Sequence, residues 1–323
     1  MKLQQLRFLA AIAKYNLNIS AAAEKLFTSQ PGVSKQIKLL EEELGVQLFS
    51  RNGKHLTQIT PIGERVIEKA NLILKEAANI KALAEEFRDD NKGTLTLATT
   101  HTQARYVLPA VIRQFSAEFP EVKLNLIQGS PERISRMAVS GEADLAIATE
   151  AIASYSDLVM MPAYRWNRCL VVPRGHELTF AKKISLGALA QYPMVTYVKG
   201  LTGRGVMDEA FAKEGLSPEI VFTATDADVI KTYVRLGMGV GLIARQAYEN
   251  RLDSDLVAVD VGHLFQDSIT YVGFRSGAYM RKYMLRFLEL FSPQFDRDQI
   301  EKIACLSSIE AKNYWSDVVI PRC

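Results

Sequence analysis

From Ile62 to Phe87, apolar residues recur at spacings of three and four: Ile62, Val66, Ile67, Ala70, Ile73, Leu74, Ala77, Ile80, Ala84 and Phe87. That period describes one face of a helix longer than most globular domains accommodate. Thr60-Pro61 supplies its start: a hydroxyl to cap, then a proline where a missing N–H costs nothing. Arg88-Asp89-Asp90-Asn91-Lys92-Gly93 ends it as a polar hinge. So long a stripe needs cover, either from a partner helix in a coiled-coil-like seam or from its own domain. The run also divides the chain into residues 1–60, 61–92 and 93–323.

Residues 1–60 hold eight Lys or Arg against four acids, whereas the whole chain nets only +3. A basic first segment on a near-neutral body points to a polyanionic partner for that segment. Leu3, Leu6, Leu9 and Ala13 predict a first amphipathic helix, which reads better than a signal peptide because Arg7 lies inside the pattern. Asn18 or Ser20 can cap a second helix through Leu26, rich in small residues. Ser29 can cap a third, with Pro31 in its first turn. Val33, Ile37, Leu40 and Leu44 line one face of it. Gln30, Ser34, Lys35 and Lys38 line the other. This layout fits a helix-turn-helix, in which Ser29, Gln30, Ser34, Lys35 and Lys38 would meet DNA. It also fits a plain three-helix bundle with a solvated face. Asn52-Gly53 then marks a hairpin flanked by Arg51 and Lys54, either a basic wing for phosphate contact or a solvated turn.

Beyond residue 93, strand-like and helix-like runs alternate: Thr94–Ala98, Ala104–Phe119, Val122–Gln128, Pro131–Ser140, Ala143–Ala148. The same pattern recurs from Cys169 to Val259 and closes with Ile269–Phe274 and Ala278–Phe291. Such alternation predicts an α/β fold with mainly parallel sheets. Crossings near Tyr164 and Val261 would make two lobes around a cleft: lobe I about 93–163 and 267–292, lobe II about 164–266, and a tail 293–323. Strand ends open onto Thr100-His101-Thr102-Gln103, Thr149-Glu150 and Gly200-Leu201-Thr202-Gly203. Helix N-termini with neutral donors receive small anions. Each of these positions is equally an ordinary cap.

Ala21-Ala22-Ala23-Glu24-Lys25-Leu26, Thr28-Ser29-Gln30-Pro31-Gly32-Val33-Ser34-Lys35-Gln36-Ile37, Leu44-Gly45, Leu48-Phe49 and Thr60-Pro61-Ile62-Gly63 resemble the winged helix-turn-helix of LysR-type transcriptional regulators. Ala98 through Tyr106, Gln128 through Pro131, Ala146 through Ala151, Trp166-Asn167-Arg168 and Phe222 through Arg235 are similar to the sulfur-assimilation branch of that family. The resemblance implies a DNA-binding regulator of sulfur assimilation and cysteine biosynthesis genes. It implies dimerisation through the linker helix, assembly to a homotetramer, and RNA polymerase as a further partner. It also implies a two-lobed effector domain like a periplasmic binding protein. The effector implied is acetylserine, with sulfate or thiosulfate as competing anions and no cofactor. Thr100, Thr102, Gln103, Thr149 and Thr202 are the implied anion set. Tyr164 and Trp166 are implied as cleft wall or hinge, with core packing as their other reading. A related reading is a regulator of sulfonate or sulfate-starvation genes responding to adenosine phosphosulfate.

Other classes fit less well. Four scattered histidines show no metal-ligand spacing, and neither a GxSxG elbow nor a Walker loop occurs, so catalysis is not expected. Gly239-Val240-Gly241-Leu242-Ile243-Ala244 imitates a dinucleotide fingerprint but reads as a buried strand. Three distant cysteines without CxxC suit a reducing cytoplasm, and no apolar run reaches membrane-spanning length. A small-anion-binding protein without a transcriptional role is the alternative of a different class.

Overall fold

The first three helices are α1 (Leu3–Lys14), α2 (Ile19–Lys25) and α3 (Gln30–Leu44), and side-chain caps start the second and third. The Asn18 side chain accepts from Ala21 N–H at 3.0 Å, and Ser29 Oγ from Gly32 N–H at 3.3 Å. The computed structural model describes all residues of the chain except 54, 89, 90, 150–154, 156, 202, 316 and 317. It splits into two units, Met1–Arg88 and Asp89–Cys323.

In the first unit, β1 (Phe49–Asn52) and β2 (His55–Ile59) form the expected hairpin, closing between Asn52 and His55. Gly53 turns the chain at φ +61°, a conformation open to glycine at little cost. The Thr60 hydroxyl accepts from Gly63 N–H at 3.0 Å and donates to the Gln47 carbonyl at 2.7 Å, so it caps α4 (Pro61–Arg88) and ties it to the hairpin. Leu6, Leu9, Ile12, Val33, Ile37, Leu40, Leu48 and Phe49 make the core, with Ala70 of α4 buried among them. Val66, Ile67 and Leu74 also pack there, so the first half of the stripe is covered by its own unit. Further along, Ile80 and Leu83 are exposed.

The second unit holds two five-stranded sheets. Lobe I has strand order β4-β3-β5-β12-β6, from β3 (Gly93–Thr99), β4 (Val122–Gln128), β5 (Leu145–Ala148), β6 (Leu158–Trp166) and β12 (Ser268–Arg275). Lobe II has β11-β7-β10-β8-β9, from β7 (Arg168–Pro173), β8 (Met194–Tyr197), β9 (Ile220–Ala224), β10 (Val240–Ala244) and β11 (Leu256–Asp260). The sheets are mixed, which corrects the mainly parallel expectation. β3 runs parallel to β4 and β5, and β8 to β9 and β10. β12 is antiparallel to β5 and β6, and β7 to β10 and β11. The antiparallel strands are those flanking the crossings, where the chain leaves one lobe and must re-enter it. β6 extends through Trp166, so the first crossing falls at Asn167, just past Tyr164, and the second spans 261–267.

The α5 helix (Leu108–Glu118) and α6 (Pro131–Ser140) belong to lobe I. α7 (Leu186–Leu189), α8 (Arg204–Lys213) and α9 (Ala227–Arg235) belong to lobe II. Instead of one helix from Ala104, the chain enters α5 through a π-helical turn, Gln103–Val107. Within Gly239–Ala244, β10 (Val240–Ala244) is a buried strand, as read. Gly241 is there for packing: a Cβ would stand 2.6 Å from Val171 and 2.7 Å from Val234 of α9.

The chain then forms α10 (Lys282–Phe291), α11 (Arg297–Cys305) and α12 (Ser308–Tyr314). Trp315 is buried after α12, and the last residues run along the outer edge of β6. Arg165 N–H donates to the Pro321 carbonyl at 2.8 Å, and Cys323 N–H to the Arg165 carbonyl at 2.9 Å. The tail therefore covers an otherwise open strand edge.

Candidate DNA-reading surface and effector cleft

On α3 the buried face is Val33, Ile37 and Leu40, and this leaves the opposite face outward. Ser29, Gln30, Lys35 and Lys38 are exposed and Ser34 is half-buried, with Gln30 Nε2 donating to Ser34 Oγ at 3.2 Å. Lys54 lies outside the described residues. Arg51 is engaged within its own unit, since its guanidinium pairs with the Glu41 carboxylate. Glu41 is 9% exposed. Its Oε1 accepts from Leu48 N–H at 2.9 Å and Phe49 N–H at 3.2 Å. It thereby fastens the hairpin to α3.

In the second unit, β3 ends at buried Thr99, whose hydroxyl donates to the Ile147 carbonyl at 2.9 Å. The helix N-terminus follows at once. Thr100 is half-buried, while Thr102 and Gln103 are each 2% exposed. The π turn aims the Gln103 amide at β6 and β12. Its Nε2 donates to Thr270 Oγ1 at 3.4 Å, and its Oε1 accepts from the Tyr164 hydroxyl. The Trp166 indole N–H donates to Thr270 Oγ1 at 3.1 Å and to Thr149 Oγ1 at 3.3 Å. The two threonine hydroxyls lie 3.3 Å apart. Four of the seven expected effector residues, Gln103, Thr149, Tyr164 and Trp166, thus meet around Thr270. Thr270 sits inside a strand with no turn or cap to mark it, and only the sheet register brings it here. Thr202 lies outside the described residues, as does Glu150.

Burial sets the electrostatics. It raises the pKa of the Tyr164 and Tyr197 phenols well above the ordinary tyrosine value and pushes Cys169 up to about 12, so all three stay neutral. Arg168, 3% exposed, stacks on Trp166 with its guanidinium 5.1 Å from the ring centroid. It donates to the Gly203 carbonyl at 2.7 Å and Ser268 Oγ at 2.9 Å. That ties the loop before α8 to the strands of the cleft. Gly203 has φ +70°, and a Cβ there would fall 1.7 Å from Arg168. Thr102 Oγ1 is buried and makes no hydrogen bond of ordinary length among the described residues, although the Tyr197 phenol of lobe II is close enough to feel it. A buried hydroxyl in this condition at a helix start is a ready donor to an anion.

The fold also brings His101 to Asp226 and Asp228, with ligand atoms within 4.8 Å of one another, which the sequence spacing did not foreshadow. Both carboxylates have protein partners. Asp226 caps α9 by accepting from Val229 N–H at 2.9 Å, and Asp228 accepts from Tyr106. Among the described residues, no helix is long and apolar enough to cross a membrane.

A basic three-helix unit with a hairpin, a long helix and a two-lobed α/β unit together have the layout of a DNA-binding regulator with an effector domain. Residues 3–64 match the bacterial regulatory helix-turn-helix model of the lysR family, and residues 88–296 match the LysR substrate binding domain. The chain belongs to the LysR family of transcriptional regulators, which are DNA-binding and non-catalytic. It is 50% identical over 302 residues to the HTH-type transcriptional regulator CysB of Haemophilus influenzae, covering 94% of this chain and 93% of that one. It is 49% identical over 300 residues to the HTH-type transcriptional regulator SsuR of Burkholderia cenocepacia, covering 93% and 97%. The crystal structure of the cofactor-binding domain of the Cbl transcriptional regulator superposes with a TM-score of 0.65 at 44% identity, covering 67% of this chain and 95% of that one.

Proposed function

We propose that this regulator controls genes of sulfur assimilation and cysteine biosynthesis as an activator, with acetylserine as inducer and sulfate or thiosulfate as competing anions. The observation that carries the reading is the buried Thr102 hydroxyl beside the Gln103–Thr270–Trp166 network. These are neutral polar groups gathered beside a helix start, of the kind that can donate to a small anion. Thr100, Thr102, Gln103, Thr149 and Thr202 are its anion set, and Tyr164 and Trp166 its wall. The relatives named CysB and SsuR support the sulfur assignment. The likeness to the Cbl domain supports a second reading, in which adenosine phosphosulfate is the ligand. On the first reading, acetylserine favours one arrangement of the lobes over the other, since only differential affinity shifts such an equilibrium.

Calorimetry of the whole protein with acetylserine, sulfate and adenosine phosphosulfate separates the readings. Acetylserine binding that weakens about tenfold in Thr102→Ala, the worth of roughly one hydrogen bond, is expected. Binding of adenosine phosphosulfate alone moves the assignment to the second reading. No binding of any of the three removes the effector assignment and leaves the family intact.

We further propose that Ser29, Gln30, Ser34, Lys35, Lys38, Arg51 and Lys54 contact promoter DNA. The regulator would act as a homodimer assembled through the exposed half of α4 and paired into a tetramer, with RNA polymerase as a partner at the promoter. Affinity for a promoter fragment is then expected to fall steeply with salt. Each phosphate contact removed, as in Lys35→Ala, should reduce the slope of log K against log salt by about 0.9 per engaged protomer. An unchanged slope in a titration from low to moderate salt would remove Lys35 from the interface.

A further inference from the structure

Tyr106 and Asp228 come from opposite lobes. Tyr106 lies in the π turn that carries Gln103, and Asp228 lies in the first turn of α9. The phenol donates to Asp228 Oδ1 at 2.6 Å. Lys231, 4% exposed, completes the contact from the same side as Asp228. Its ammonium donates to the Tyr106 oxygen at 3.1 Å and stands 3.3 Å from Asp228 Oδ1. It is anchored behind by the Ala247 carbonyl at 2.9 Å and by buried Asp253 at 3.0 Å. Asp253 is itself braced by Arg235 at 2.9 Å. The ammonium also lies 5.2 Å from the Tyr106 ring centroid. The proton order is therefore fixed: Lys231 donates to Tyr106, and Tyr106 donates to Asp228. Burial, then the Asp228 carboxylate, hold the phenol far above its ordinary pKa, so it remains a donor throughout the physiological range.

A hydrogen bond within one lobe could not gate the cleft. This one crosses between lobes that the chain joins at Asn167 and at 261–267, so any opening about those crossings must break it. It also shares an element with the candidate anion site. The π turn closes with Leu108 N–H bonded to the Gln103 carbonyl, and it presents Gln103 to Tyr164 and Thr270 and Tyr106 to α9. π turns are uncommon and concentrate at functional sites. Here the single turn links what binds at Thr102 and Gln103 to what holds the lobes together.

We infer that Tyr106, Asp228 and Lys231 form an inter-lobe clamp that keeps the cleft closed, with Tyr106 a positioning residue for ligand retention. The retention half rests on the effector reading above; the mechanical half does not.

Hydrogen exchange on the full protein without ligand tests the mechanical half. Tyr106→Phe keeps the ring and deletes the donor. Residues 103–107 and 227–235 are expected to exchange about tenfold faster together, the effect of losing one charge-assisted hydrogen bond, while β7 and β10 stay unchanged. Unchanged exchange in both segments overturns the clamp, and so does uniform acceleration across the unit, which marks a fold defect. Asp228→Asn, measured alone and with Tyr106→Phe, should add little to the single variant; full additivity overturns the pairing. Sulfate serves as the probe for retention. Its dissociation is expected to be at least fivefold faster in Tyr106→Phe, with association little changed, and equal dissociation rates overturn that half. If the unaltered protein binds no sulfate, the retention half falls, the effector reading is decided by the calorimetry above, and the exchange result stands alone for the clamp.

Discussion

Trp166→Ala is expected to destabilise the Asp89–Cys323 unit by about 3–5 kcal/mol, the range for deleting a fully buried large aromatic. Trp166 is 0% exposed, at the last position of β6 before the first crossing. Its loss removes packing under the Arg168 guanidinium and the donor shared by Thr149 and Thr270. Against a total of about 5–15 kcal/mol, this is a large fraction. Urea unfolding of the whole protein, followed by circular dichroism, should show one transition moved far to lower denaturant and the other in place. Trp166→Phe separates the contributions. It retains most of the apolar volume but leaves the two hydroxyls without their indole donor, so a smaller loss of about 1–2 kcal/mol is expected. Acetylserine or sulfate binding should fall in the Phe variant at temperatures where it remains folded. Full binding there would show that the indole N–H has no part in arranging the pocket.

Glu41→Ala is the corresponding experiment on the DNA-reading unit. One carboxylate serves two backbone N–H groups, those of buried Leu48 and Phe49, and the Arg51 guanidinium. Alanine leaves both donors without their acceptor in a place where water enters poorly, at a cost of about 2–4 kcal/mol. The hairpin would then detach from α3. Promoter binding should drop even though Glu41 carries the wrong charge to touch phosphate, and the melting transition of this unit should move down while that of the other holds. An acidic residue near DNA whose removal weakens binding is the informative sign, because a purely electrostatic role would strengthen it. Glu41→Gln keeps one acceptor for the backbone and should recover most of the stability.

The helices of residues 1–88 were legible because their determinants are local. Asn18, Ser29 and Thr60 cap within three residues of themselves, and the apolar faces of α3 and α4 repeat at helical spacing. Most strands of the second unit were legible for the same reason, as was the buried strand within Gly239–Ala244, whereas β6 (Leu158–Trp166) was not read. Strand direction was not. Alternating β and α runs suggested parallel pairing, but β6, β7, β11 and β12 flank the two crossings, and their direction follows from how the chain passes between lobes. The π turn at Gln103–Val107 escaped too, since its sequence is ordinary for a helix and side chains from distant elements hold its register.

Among the site residues, the family motifs pointed to Thr100, Thr102, Gln103, Thr149 and Thr202 as an anion set, with Tyr164 and Trp166 beside them; of these seven, Gln103, Thr149, Tyr164 and Trp166 meet around Thr270. The fold added Thr270, 167 positions from its partner Gln103, and Arg168 holding the Gly203 loop. It also set Arg51 of the hairpin against Glu41, and placed Tyr106 as a bridge between lobes.

Capping, amphipathic period and turn chemistry act over a few residues, so the sequence by itself determined the winged three-helix unit, the long helix and the alternating α/β body. Hydrogen bonds between residues a hundred positions apart depend on sheet order, strand direction and the place of the crossings. Only the tertiary structure decided those, and with them which polar side chains face one another in the cleft.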